Sequence, residues 1–95
     1  MSEKNQKARG VKITSDGVVD ILVFNKQYAT MEELQSIVNG HFEFVYLPEN
    51  MIMVVNEEGK LNDLPINSVA TAFVKPVLND YIVGDVLLIN QKFLN

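Results

Sequence analysis

The stretch HFEFVYLPENMIMVV, residues 41–55, decides the fold. Its first half alternates: Phe42, Phe44 and Tyr46 fall on one side of an extended chain, and His41, Glu43 and Val45 on the other. Successive side chains of a strand point to opposite faces, so this is the pattern of a strand. Pro48-Glu49-Asn50 then turns the chain. Met51 to Val55 is apolar at every position. A short continuous apolar run bounded by turn residues reads as an inner strand buried on both faces.

Working upstream, Thr30-Met31-Glu32-Glu33 opens a helix. Thr30 is placed to cap the free amides and Glu33, three residues on, completes a capping box. Met31, Leu34, Ile37 and Val38 share one face of it, and Asn39-Gly40 ends it, with Gly40 suited to the left-handed closing position. Earlier still, Val11 to Thr14 and Val18 to Phe24 flank Ser15-Asp16-Gly17. Asp-Gly between two such runs predicts a hairpin, here of strands 10–14 and 18–25. Residues 1–9 carry no apolar period and read as a flexible N-terminal arm, leaving 10–95 as a single domain.

Downstream, Asn56 to Lys60 is a turn pivoting on Gly59, and Leu61 to Pro65 is irregular. Asn67-Ser68 caps a second short helix, Val69 to Val74, which Pro76 terminates. Tyr81 to Asn90 reads as the last strand, interrupted at Gly84-Asp85, with Gln91 to Asn95 as an edge extension. The order β-β-α-β-β-α-β predicts an α+β domain: a largely antiparallel sheet of about five strands with two short helices on one face.

Composition bounds the function. A chain of 95 residues with 47% apolar side chains is one domain with enough material for a core. With no cysteine, disulfides, thiolate metal sites and cysteine nucleophiles are excluded. Eight Lys and Arg against twelve Asp and Glu give a net charge of −4. The first nine residues hold Lys4, Lys7 and Arg9 against Glu3, so the body beyond them is more acidic than the whole. Such a body repels a phosphate backbone, and direct nucleic-acid binding is not expected. A small anionic ligand remains compatible, because one pocket can differ from the whole. The longest apolar run, Met51 to Val55, is far short of the roughly 20 residues that span a bilayer. No signal-peptide pattern opens the chain, and a cytoplasmic protein is expected.

No familiar catalytic pattern is legible, so the chain is not expected to be an enzyme, to hold a metal or to need a cofactor. His41 is the only histidine. Glu57 and Glu58 read as a solvated turn. Gly59-Lys60 lacks the first glycine and the following Ser or Thr of a phosphate loop. Asn67 either caps the helix or, with its N-terminus, presents donors to an anion. Gly84 either marks a bulge or lets a ligand approach the backbone while Asp85 accepts a hydrogen bond from a base or ribose hydroxyl. Asn56 and Lys60 stand at a strand end and in the turn after it. The candidate ligand-binding set is therefore Asn56, Lys60, Asn67, Gly84 and Asp85.

Four segments carry a resemblance: Val45-Tyr46-Leu47-Pro48, Val55-Asn56-Glu57-Glu58-Gly59-Lys60, Leu64-Pro65-Ile66-Asn67 and Ile82-Val83-Gly84-Asp85. With the helix Thr30 to Gly40 before them, the chain resembles a family of small domains of unknown function found in phages, plasmids and their bacterial hosts. The resemblance implies an accessory gene of a mobile element, working in the host-cell cytoplasm. It fits a protein that counters host defence by sequestering a small nucleotide-derived signal, often at a subunit junction. The alternative is an inhibitor or adaptor whose acidic surface docks on a basic patch of a host protein. Uncovered strand edges make a homo-oligomer, first of all a homodimer, the expected assembly.

Overall fold

A computed structural model describes residues 6–95. Five strands form one sheet: β1 (Arg9–Ile13), β2 (Val19–Val23), β3 (Phe42–Tyr46), β4 (Met51–Asn56) and β5 (Val86–Asn90). Two α-helices, α1 (Met31–Val38) and α2 (Ser68–Val74), complete the expected order. The sheet runs β2-β1-β5-β4-β3, and every neighbouring pair is antiparallel. This is an α+β fold. The predicted hairpin pairs Val11 with Ile21 and Ile13 with Val19.

The capping box at Thr30 forms as read. Thr30 Oγ1 accepts from the Glu33 amide at 3.1 Å, and Glu33 Oε1 accepts from the Thr30 amide at 2.8 Å. Asn39, not Gly40, takes the left-handed closing position, with φ 65°. Asparagine tolerates that conformation better than other side chains.

The helices do not share one face. Alternation along β4 sends Ile52 and Val54 to one core and Met53 and Val55 to another. The first core takes Leu34 and Val38 of α1, together with Phe24, Leu87, Ile89 and Phe93. The second takes Ala70 and Val74 of α2, together with Ile13, Ile82 and Val86. One helix therefore covers each face. A strand apolar at every position demands this, since a bare second face would leave it in water.

Three boundaries move. Ala8 is fully buried and accepts from the Phe24 amide at 2.8 Å, and Arg9 opens β1, so the arm ends earlier than residue 9. Residues 1–5 of that arm lie outside the described residues. The last strand begins only at Val86, because Gly84 at φ 75° turns the chain. Gln91 to Phe93 is a 3₁₀ turn rather than an edge extension, and it folds Phe93 back into the first core. β5 is the middle strand, so it has no free edge to extend.

Asn67 fixes α2 to the sheet. It is fully buried; its Nδ2 donates to the carbonyls of Ile13 and Gly84, both at 2.9 Å, and its Oδ1 accepts from the Ala70 amide at 3.0 Å. Removing that amide strands two carbonyls and one N–H in the interior. Asn67→Ala should cost about 3 kcal/mol, against about 1 kcal/mol for Thr30→Ala at the exposed cap of α1. Denaturant unfolding of both variants measures the difference; equal losses would reduce Asn67 to an ordinary cap.

Candidate functional site

The five sequence-derived candidates separate into two groups. Asn67, Gly84 and Asp85 build structure near the hairpin turn. Asn67 spends its amide internally, as above, and α2 is too short for its N-terminus to stand as an anion site. A Cβ on Gly84 would sit 2.8 Å from Leu64 Cδ1, so the glycine serves side-chain packing and a positive φ. Asp85 Oδ1 accepts from the Ser15 amide at 3.0 Å and ties down the β1–β2 turn.

Asn56 and Lys60 stand together in a small cleft at the other end of β4 from Met51. Asn56 serves its own turn: Nδ2 donates to the Val38 carbonyl at 3.0 Å and Oδ1 accepts from the Glu58 amide at 2.8 Å. Lys60 Nζ lies 2.7 Å from Asp80 Oδ1 and 4.2 Å from the centre of the Tyr81 ring. The cleft encloses about 170 Å³ over an apolar floor that includes Val45, Val55 and Ile82. Glu43, Glu57 and Asp80 line it against the single cation Lys60, already paired. An anion gains little there; a cationic side chain would be held by Glu43 and Glu57. His41 is exposed, and among the described residues no group of His, Asp or Glu is placed to hold a metal ion.

A larger concavity lies on the open part of the sheet, where α2 does not reach. This groove of about 390 Å³ has Val11, Ile21, Met51 and Leu88 in its floor and Arg9 and Lys92 among its lining residues. Both cations lean on Phe93: Arg9 Cζ is 5.9 Å and Lys92 Nζ 5.1 Å from the ring centre. The only ion pair among the described residues is Lys60 with Asp80, so neither Arg9 nor Lys92 has an ion-pair partner among them. Asn90 lines the groove too; its Oδ1 accepts from the Lys92 amide, while its Nδ2 has only the Met51 sulfur at 3.7 Å. That leaves a donor facing the groove with a weak partner.

Arg9, Asn90 and Lys92 are not among the candidates that the sequence offers: Arg9 closes the arm read over residues 1–9, and Lys92 lies in the tail after the last strand. One signal was available: Arg9 keeps the period-two spacing of Val11 and Ile13, which puts it on their face once β1 is allowed to start two residues earlier than Val11.

The chain matches the family described as domain of unknown function DUF3846 over residues 7–92. It belongs to that family. No curated protein and no solved structure matches it. The DUF3846 match takes in every described lining residue of both concavities except Phe93. No helix of this DUF3846 domain is long and apolar enough to cross a membrane, among the described residues.

The Lys60 partner holds the Asp80 carboxyl below the ordinary aspartate value of 3.8, and the Tyr81 amide adds to the effect. A depressed folded-state value means the pair favours the folded chain above the ordinary aspartate range, and loses that contribution as pH falls through the lowered value. Asp80 is exposed, so the stabilisation is small. An NMR titration should place its midpoint under 3.8, and Lys60→Met should move it back up; no movement would mean the pair is not formed in solution.

Proposed function

We propose that this domain binds, without transforming it, a small anionic nucleotide-like ligand in the open groove of its sheet. The observation that carries the reading is the pair of cations Arg9 and Lys92, without an ion-pair partner among the described residues, in the lining of an apolar floor that α2 leaves uncovered. Its volume falls within the roughly 300–1,000 Å³ typical of small-molecule sites. Arg9 supplies a planar donor fork suited to phosphate, Lys92 a second positive charge, and Asn90 an amide for a base or sugar. Val11, Met51 and Leu88 offer apolar surface to a base. Among the described residues, the groove's lining holds no Ser, Thr, Cys, His, Asp or Glu. That composition supports holding rather than cleaving, since a nucleophile and a general base are both wanting there. In an accessory protein of a phage or mobile element, such binding would sequester a nucleotide-derived defence signal in the host cytoplasm.

A second reading rests on the acidic cleft. Glu43 and Glu57 have no ion-pair partner among the described residues, and the cleft is the size of one side chain. It suits a Lys or Arg from a basic patch on a host protein, which makes the domain a docking inhibitor or adaptor.

Thermal melts against a panel of linear and cyclic mono- and dinucleotides separate the two. A true ligand at a hundredfold excess over its Kd stabilises by about 2.7 kcal/mol, a rise of roughly 10 °C or more for a domain this small. Arg9→Ala and Lys92→Ala should each weaken binding about tenfold, and more salt should weaken it further. Glu43→Gln with Glu57→Gln should leave it unchanged. Silence across the panel, with a basic protein partner lost in the Glu43 and Glu57 double variant, would replace the first reading by the second.

A further inference from the structure

We infer that a second copy of this chain docks edge to edge on β2, extending the sheet across a two-fold axis at Ile21. Among the described residues β2 is an outer strand, paired on one side only, with β1. The Thr14 amide donates to the Val18 carbonyl at 2.9 Å, and the Phe24 amide to the Ala8 carbonyl at 2.8 Å. Backbone groups along an antiparallel strand alternate in direction, so the even-numbered residues of β2 bond to β1. The amides and carbonyls of Val19, Ile21 and Val23 therefore point outward. Their side chains are apolar and exposed, at 54%, 77% and 66%.

Natural sheets blunt an open edge with lysine, proline, a bulge or a covering element. β2 has none of these. Its one charge, Asp20, lies opposite Lys12 of β1 and on the other face from Ile21. The opposite edge, β3, is managed differently. Its Phe42 and Phe44 rings stack at 5.5 Å and pack on the first core.

Val19-Asp20-Ile21-Leu22-Val23 is self-complementary when turned about its centre. Ile21 meets its own copy, and Val19 meets the partner's Val23. Asp20 meets the partner's Leu22, so no like charges stand opposite each other. Among registers that keep outward amides facing outward carbonyls, this one pairs all three apolar side chains. A shift by two residues drives one of them onto Gly17 or Asn25. The three outward-facing pairs exchange six backbone hydrogen bonds. The interface is small, on the order of 1,000 Å² in total, which places it among moderate rather than permanent associations. It adjoins the groove, because Ile21 belongs to both. The inference stands on strand geometry and does not need the ligand.

The absence of native cysteine allows a clean test by disulfide trapping. A hydrogen-bonded antiparallel pair has its Cα atoms about 5.5 Å apart, inside the roughly 4.4–6.8 Å a disulfide spans. Ile21→Cys should give a covalent dimer on mild oxidation. Val19→Cys alone should not, since two copies of residue 19 lie four residues apart along the strands, about 13 Å. Mixing Val19→Cys with Val23→Cys should restore cross-linking. All three sites are exposed, so folding should be unaffected, as circular dichroism would check. Sedimentation velocity of the unmodified protein should show a dimer that Ile21→Lys dissociates. A wild-type monomer at about 100 μM, or Val19→Cys linking as readily as Ile21→Cys, would overturn the assignment.

Discussion

Two strands apolar on both faces govern everything else in this molecule. Ile52, Val54, Leu87 and Ile89 look one way; Met53, Val55, Val86 and Leu88 look the other. Water must be kept from both sides, so each face needs a cover. On the first face α1, Phe24, Ala29 and Phe93 together provide it. On the second, the cover is α2, whose seven residues rise only about 10 Å and bury just Ala70 and Val74. A five-residue strand is about 17 Å long. The far end of that face stays bare, and there the groove lies.

Where α2 sits is fixed by one side chain. Asn67 joins the end of β1, the Gly84 turn and the first turn of α2 in a single buried node. Next to Gly84, Asp85 holds the hairpin turn through the Ser15 amide. These contacts confine the helix to one end of the sheet. Residues that look like ligand donors in the sequence are thereby consumed in placing the element whose shortness leaves the groove open.

The sequence was informative wherever the chemistry is local. Thr30 with Glu33, Asp16-Gly17 and the alternation of residues 42–46 each act within a few residues, and each element forms as its residues dictate. The extent of the last strand was not legible, because a glycine in an apolar run reads alike as a bulge or as a turn until its φ is known. Nor was the side on which each helix packs. That depends on the pairing of β1 with β5, a contact between residues more than seventy positions apart. The candidate site suffered most. Asn67 and Asp85 carry the same polar groups whether they face a ligand or the carbonyls and amides of their own chain, and only the fold distinguishes these. Arg9 and Lys92 lie at opposite ends of the sequence and meet only because β1 and β5 are neighbours.

Net charge gives the wrong impression of where an anion can be held. The chain is acidic overall, yet its charges are sorted along the strands. Met51 lies beside the groove and Glu57 beside the acidic cleft. Six residues of extended chain separate them, about 20 Å. Electrostatic interactions between exposed groups decay over roughly 8 Å at physiological ionic strength. Glu43, Glu57 and Asp80 are therefore screened from Arg9 and Lys92, the two charged side chains among the groove's described lining residues. The same separation makes the cleft and the groove electrostatically independent of each other. A two-fold axis at Ile21 would lie on the groove side of this division, placing the grooves of both copies on one continuous face and leaving each acidic cleft at the outer ends.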